Sequence, residues 1–104
     1  MIVPPDTLKS HSTKNKGASI LDEAKEVVNG RRDSYGSPED CFELIANFWS
    51  TYLSYEISQE EVCMMMILLK VAREKHGHKR DNLVDIAGYS HCSALIQGAK
   101  KIND

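Results

Sequence analysis

The chain has 104 residues, enough for one domain and one core. Hydrophobic and charged contents of 41% and 27% are ordinary for a globular protein, and a net charge of −2 argues against a general nucleic-acid binder, which carries a basic excess. No run approaches the roughly 18 apolar residues of a membrane span, and the first residues lack the charged-then-apolar order of a signal peptide, so a cytoplasmic protein without membrane contact is expected.

Residues 1–18 carry two prolines and several Ser, Thr, Lys and Asn without a period, and read as a flexible arm. Residues 19–104 then read as an all-α, four-helix bundle-like domain. Three of the helices open on one signal: Ser19 precedes Asp22 by three residues, Ser37 precedes Asp40, and Ser58 precedes Glu61. Each pair is a capping box or its aspartate variant, in which the hydroxyl accepts from an early N–H while the carboxylate reaches back. Pro38 follows Ser37 at the first helical position, where its missing N–H costs nothing.

The first helix is expected over 19–31, with Ile20, Leu21, Ala24, Val27 and Val28 on one face. The second spans 38–54, its apolar stripe being Phe42, Ile45, Phe48, Trp49, Tyr52 and Leu53, with Glu39, Glu43, Asn47 and Ser50 opposite. The third spans 59–75 and includes VCMMMILL, apolar all round, with Met64, Met65 and Met66 read as core. The fourth spans 81–100, with Leu83, Val84, Ala87, Cys92, Leu95 and Ile96 inward. About 85 ordered residues bury only roughly 60–65% of their unfolded surface, so a helix apolar on every side points to a second copy covering part of it. A homodimer or higher oligomer is expected, the alternative being that this helix is the centre of a monomeric bundle.

Cys41, Cys63 and Cys92 are odd in number and fall within helical patterns, which fits reduced thiols; no Cys-x-x-Cys or Cys-x-x-His spacing suggests zinc. No His or Asn is placed to activate a cysteine. His76 and His78 flank Gly77 and read as a solvated helix end with no carboxylate fixed near them, and His91 sits among polar neighbours.

Chemistry is expected where charge interrupts apolar faces. Lys70 and Arg73 lie three apart on the third helix and continue a row through Met66 and Cys63. Asp81 and Asp85 lie four apart on the fourth, and Asp85 shares its stripe with Gly88, Tyr89, Cys92 and Ile96. A buried carboxylate needs a partner. In the plain structural reading, Asp85 pairs with Arg73 or Lys70 and braces the two helices. Two cations facing two carboxylates, with Glu43 and Asn47 able to join them, also suit a site.

Two ligand chemistries fit. In one, Asp81, Asp85 and Glu43 hold Mg²⁺, which bridges phosphate oxygens and activates a water while Lys70 and Arg73 neutralise the leaving phosphate. In the other, Lys70, Arg73, Arg31 and Arg32 grip phosphates directly and Tyr35 stacks on a base. Gly36 allows a tight turn before the Ser37 cap, whose helix start offers unpaired N–H groups to an anion. The bland reading of that loop has Tyr35 packed over the bundle end and both arginines solvated.

The order RRDSYGSPED, FWSTYL, MMMILLKVAREKHG and DNLVDIAGYSHC resembles a family of small phage-encoded domains of uncharacterised function, over residues 19–96. Tyr35-Gly36, Lys70-x-x-Arg73 and Asp81-x-x-x-Asp85 with Tyr89 carry the resemblance. These domains look related to the nucleotide-modification-associated domain, and DNLVDIAGY is similar, more distantly, to the metal-binding helix of MazG-like all-α nucleotide pyrophosphohydrolases. The MazG-like likeness implies an oligomeric helical bundle, magnesium and cleavage of nucleoside triphosphates; the likeness to phage-encoded domains implies action inside the infected host cell, with Tyr89 of the shared motif a candidate nucleotide-binding residue. The chain departs from the MazG-like pattern where Lys70 and Arg73 stand in place of a Glu-Glu-x-x-Glu group, and only Asn82-x-x-Asp85, or Asp81 with Asp85, remains of the second motif. Three readings are open: a magnesium-dependent pyrophosphohydrolase, a non-catalytic binder that sequesters a signalling nucleotide or assists nucleotide modification, and an interaction module braced by a buried ion pair.

Overall fold

A computed structural model describes residues 19–103; the side chains of Asp33, Tyr35 and residues 101–103 lie outside the description, as does the arm expected over 1–18. The described residues form four α-helices and no strand: α1 (Ile20–Tyr35), α2 (Pro38–Leu53), α3 (Gln59–His76) and α4 (Arg80–Asn103). The expected caps are in place. Ser19, Ser37 and Ser58 each accept from the N–H three residues on, and at Ser58 the Glu61 carboxylate returns the bond, closing a full capping box.

The first helix runs four residues further than its apolar pattern suggested. Nothing in Arg31–Tyr35 stops a helix, and the chain breaks only at Gly36, whose φ of 80° favours a residue without a Cβ. Arg31 and Arg32 therefore lie on α1, not in a loop. Between α2 and α3 the Ser50 hydroxyl accepts from the Ile57 N–H at 2.8 Å and fastens the turn. Gln59 Nε2 donates to the Glu39 carbonyl at 2.8 Å, tying the first turn of α3 to that of α2.

The helix at the centre is α4, which packs against α3 most extensively, then α1, then α2. Lys100 bonds Glu60 at one end of α3, Lys70 meets Asp85 near the middle, and Asn82 bonds Glu74 at the other, so α3 and α4 lie antiparallel. One core cluster joins Val28, Phe42, Ala46, Val62, Cys63, Tyr89, Cys92 and Ile96. A second joins Ala24 and Val27 to Val84.

Several expected core residues are outside. Leu21, Phe48, Tyr52, Leu53 and Leu83 are exposed, as are Met64 and Met65. On α3 this chain covers only the side bearing Val62 and Cys63, with Met66 and Ile67 partly buried beside them. Hydrophobic periodicity marks faces that can be buried; whether a neighbour covers them is decided by tertiary packing. No described helix is long and apolar enough to cross a membrane.

Candidate functional site

Asp81, Asp85 and Tyr89 repeat every four residues and share a face of α4. Asp85 is 3% exposed, and α3 brings Lys70 Nζ to 3.0 Å from its Oδ2. Two charges removed from water this far stabilise each other only in direct contact. The other carboxylate oxygen, Oδ1, is buried and has no hydrogen-bond partner. An unsatisfied anionic acceptor in a protein interior is costly and calls for a donor.

A second ion pair lies beside the first. Glu23 of α1 is 1% exposed and accepts from Arg80 Nη2 at 2.6 Å and Nε at 2.9 Å. Sequence reasoning missed both residues. The available signal was the position of Glu23 four residues before Val27, on the buried face of α1.

Asp81 has its pKa raised, first by burial and then by the negative charges of Asp85 and Glu23. The sign follows from linkage. A carboxyl that holds its proton more tightly when folded lowers stability as pH rises from its unfolded pKa through its folded one, and the penalty persists at neutral pH. Asp81→Asn is therefore expected to raise the melting temperature at pH 7 and to change it little near pH 3, as thermal melts at the two pH values would show. A decrease at pH 7 would mean that Asp81 serves as an ionised partner in the fold.

Glu74 organises the α3–α4 turn. Its carboxylate receives His78 Nδ1, the Lys79 N–H at 3.0 Å and Asn82 Nδ2 at 3.1 Å. The His78 contact foremost, then the Lys79 and Asn82 bonds, holds its pKa down to about 2. A carboxylate is thus fixed beside His78, against expectation, although the imidazole remains largely in water.

The other expected site residues are scattered. Arg73 is exposed: Asp85 is already matched by Lys70, and a second buried guanidinium would lack a counter-charge. Glu43 is exposed on α2 and Arg32 on α1. Arg31 is half-buried, close enough for its charge to act on Tyr89. Tyr89 is in the core, with a phenol pKa raised mainly by burial and then by Asp85. The Tyr35 side chain lies outside the described residues. Among the described residues no three His, Cys, Asp or Glu side chains are grouped to hold a metal ion, so Asp81, Asp85 and Glu43 do not assemble into the expected three-carboxylate set. Burial pushes the Cys63 and Cys92 thiols up to about 12 and about 11, which leaves no thiolate for nucleophilic chemistry at neutral pH.

The family described as "Domain of unknown function (DUF6378)" matches residues 19–97, which contain every member of this charged joint. The chain belongs to the DUF6378 family. It is similar to the Gene 55 protein of Mycobacterium phage D29, 46% identical over 80 residues that make up 75% of this chain and 53% of that protein. The Gene 55 protein of Mycobacterium phage L5 is 45% identical over 75 residues, 69% of this chain and 48% of that protein. The chain spans about half the length of these curated relatives. No solved structure matches it. The match to the DUF6378 family and the likeness to these phage proteins agree with the resemblance to small phage-encoded domains of uncharacterised function.

Proposed function

We propose that this DUF6378 domain binds a nucleotide in the cytoplasm of an infected host cell and does not hydrolyse it. The observation that carries this reading is the buried, unpartnered Oδ1 of Asp85. It lies beside Lys70 and within electrostatic range of Asp81 and Tyr89. A nucleoside supplies the donors such an oxygen lacks, through its base amino group and sugar hydroxyls. Arg73, one turn beyond Lys70, is an exposed cation available to phosphates. The resemblance to MazG-like and nucleotide-modification-associated domains supports a nucleotide as the ligand, although its MazG-like part favours hydrolysis. Hydrolysis by the MazG-like route would need Asp81, Asp85 and Glu43 around one magnesium ion, and Glu43 is exposed on α2.

A second reading, an interaction module braced by buried ion pairs, is favoured by the burial of Lys70 and Asp85, at 8% and 3% side-chain exposure. Thermal melts with nucleoside mono-, di- and triphosphates, with and without magnesium, together with a pyrophosphate assay, separate the readings. Binding is expected to raise the melting temperature for one nucleotide class with no pyrophosphate released. At 100 times the dissociation constant the stabilisation is about 2.7 kcal/mol, or about 10 °C or more in a domain of this size. Release of pyrophosphate would restore the enzyme, and a melt indifferent to every nucleotide would leave the brace.

A further inference from the structure

We propose that the exposed face of α3 is a two-fold interface for a second copy of this chain. The face carries Glu61, Met64, Met65, Leu68, Val71 and Lys75, all exposed and spaced at three, four and seven residues, so they form one stripe along the helix. Met64, Met65, Leu68 and Val71 are 46%, 39%, 66% and 48% exposed, while the opposite side of α3 lies against its own core.

The ends of the stripe identify the occupant. Glu61 lies in the first turn of α3 and Lys75 in the last. A two-fold axis through Leu68 runs two copies of α3 antiparallel. It places Glu61 opposite the partner's Lys75, Met64 opposite the partner's Ala72, Met65 opposite the partner's Val71, and Leu68 on its own copy. The stripe is therefore self-complementary in both charge and apolarity, the requirement of an isologous dimer. The exposed ridge on α2, Leu44, Phe48 and Tyr52, lacks this property: the first turn carries Glu39 and Asp40 and the last turn no basic residue, so a two-fold axis through Phe48 sets no cation opposite the acids.

This inference is independent of the nucleotide reading, because none of its residues belongs to the charged joint.

Sedimentation equilibrium of the full chain tests it, with circular dichroism to confirm that each variant is helical. The expected result is a dimer. Leu68→Glu sets two carboxylates face to face on the axis of a side chain already in water, so a folded monomer is expected, with the dissociation constant raised at least about a hundredfold. Lys75→Glu turns both ends acidic and should raise the constant by about tenfold, less at high salt. The exchange Glu61→Lys with Lys75→Glu restores opposite charges and should recover most of the loss; it removes the carboxylate half of the Ser58 cap but keeps the hydroxyl half. A wild-type chain that stays monomeric overturns the proposal, whether residues 1–18 or another protein then cover the stripe. So does a dimer that survives Leu68→Glu, or a charge exchange that fails to rescue.

Discussion

Replacing Asp85 with alanine is expected to destabilise the domain by about 3–5 kcal/mol, the usual cost of leaving one member of a buried pair alone. Lys70 is the member left behind, its side chain 8% exposed and its ammonium 3.0 Å from the oxygen that would be lost. Urea unfolding should show the loss as a lower midpoint at an unchanged slope. Lys70→Met should be at least as damaging, since it strands a carboxylate whose Oδ1 already lacks a partner. The double variant Lys70→Met with Asp85→Leu removes both charges and is expected to recover most of that loss. It also separates brace from ligand. If Asp85 receives a nucleotide, the double variant folds and no longer responds to it; if the pair only braces α3 and α4, nothing beyond stability changes. A loss below about 1 kcal/mol for Asp85→Ala would mean that water reaches the pair and screens it.

The parts of this fold that could be read from sequence are those governed by short-range rules. Ser19, Ser37 and Ser58 cap helices through bonds spanning three residues, so their pattern carries its own explanation. The end of α1 was harder: Arg31, Arg32 and Ser34 are polar yet tolerated in a helix, and only Gly36 interrupts. Periodicity put Lys70 and Asp85 on inward rows correctly. It could not choose between Lys70 and Arg73 as the partner, because that depends on how α3 lies along α4. Glu23 and Arg80 are 57 residues apart and escaped notice for the same reason. The α3 stripe shows the opposite failure. Met64 and Met65 looked like core, whereas burial belongs to the assembled structure and their own chain leaves them outside.

Tyr89 tests the division between scaffold and site. The resemblance to nucleotide-handling domains placed it beside a ligand; in the structure it is 0% exposed and meets Phe42 edge-to-face, ring centroids 6.1 Å apart at 78°. Tyr89→Ala would empty a cavity where Val28, Phe42, Cys63 and Cys92 converge, and is expected to cost about 3–5 kcal/mol. Tyr89→Phe keeps the ring and its aromatic contact and should lose only about 1 kcal/mol, from the buried hydroxyl. A residue that stacks on a nucleotide behaves in reverse: truncation spares the melt and abolishes the ligand-induced shift. If Tyr89→Ala unfolds at the wild-type urea midpoint, the ring does not hold the core, and Tyr89 would move from the scaffold to the binding surface. The expected collapse instead ties the position of Asp85, one turn earlier on α4, to the packing of this ring, so the charged joint is only as rigid as the aromatic core beneath it.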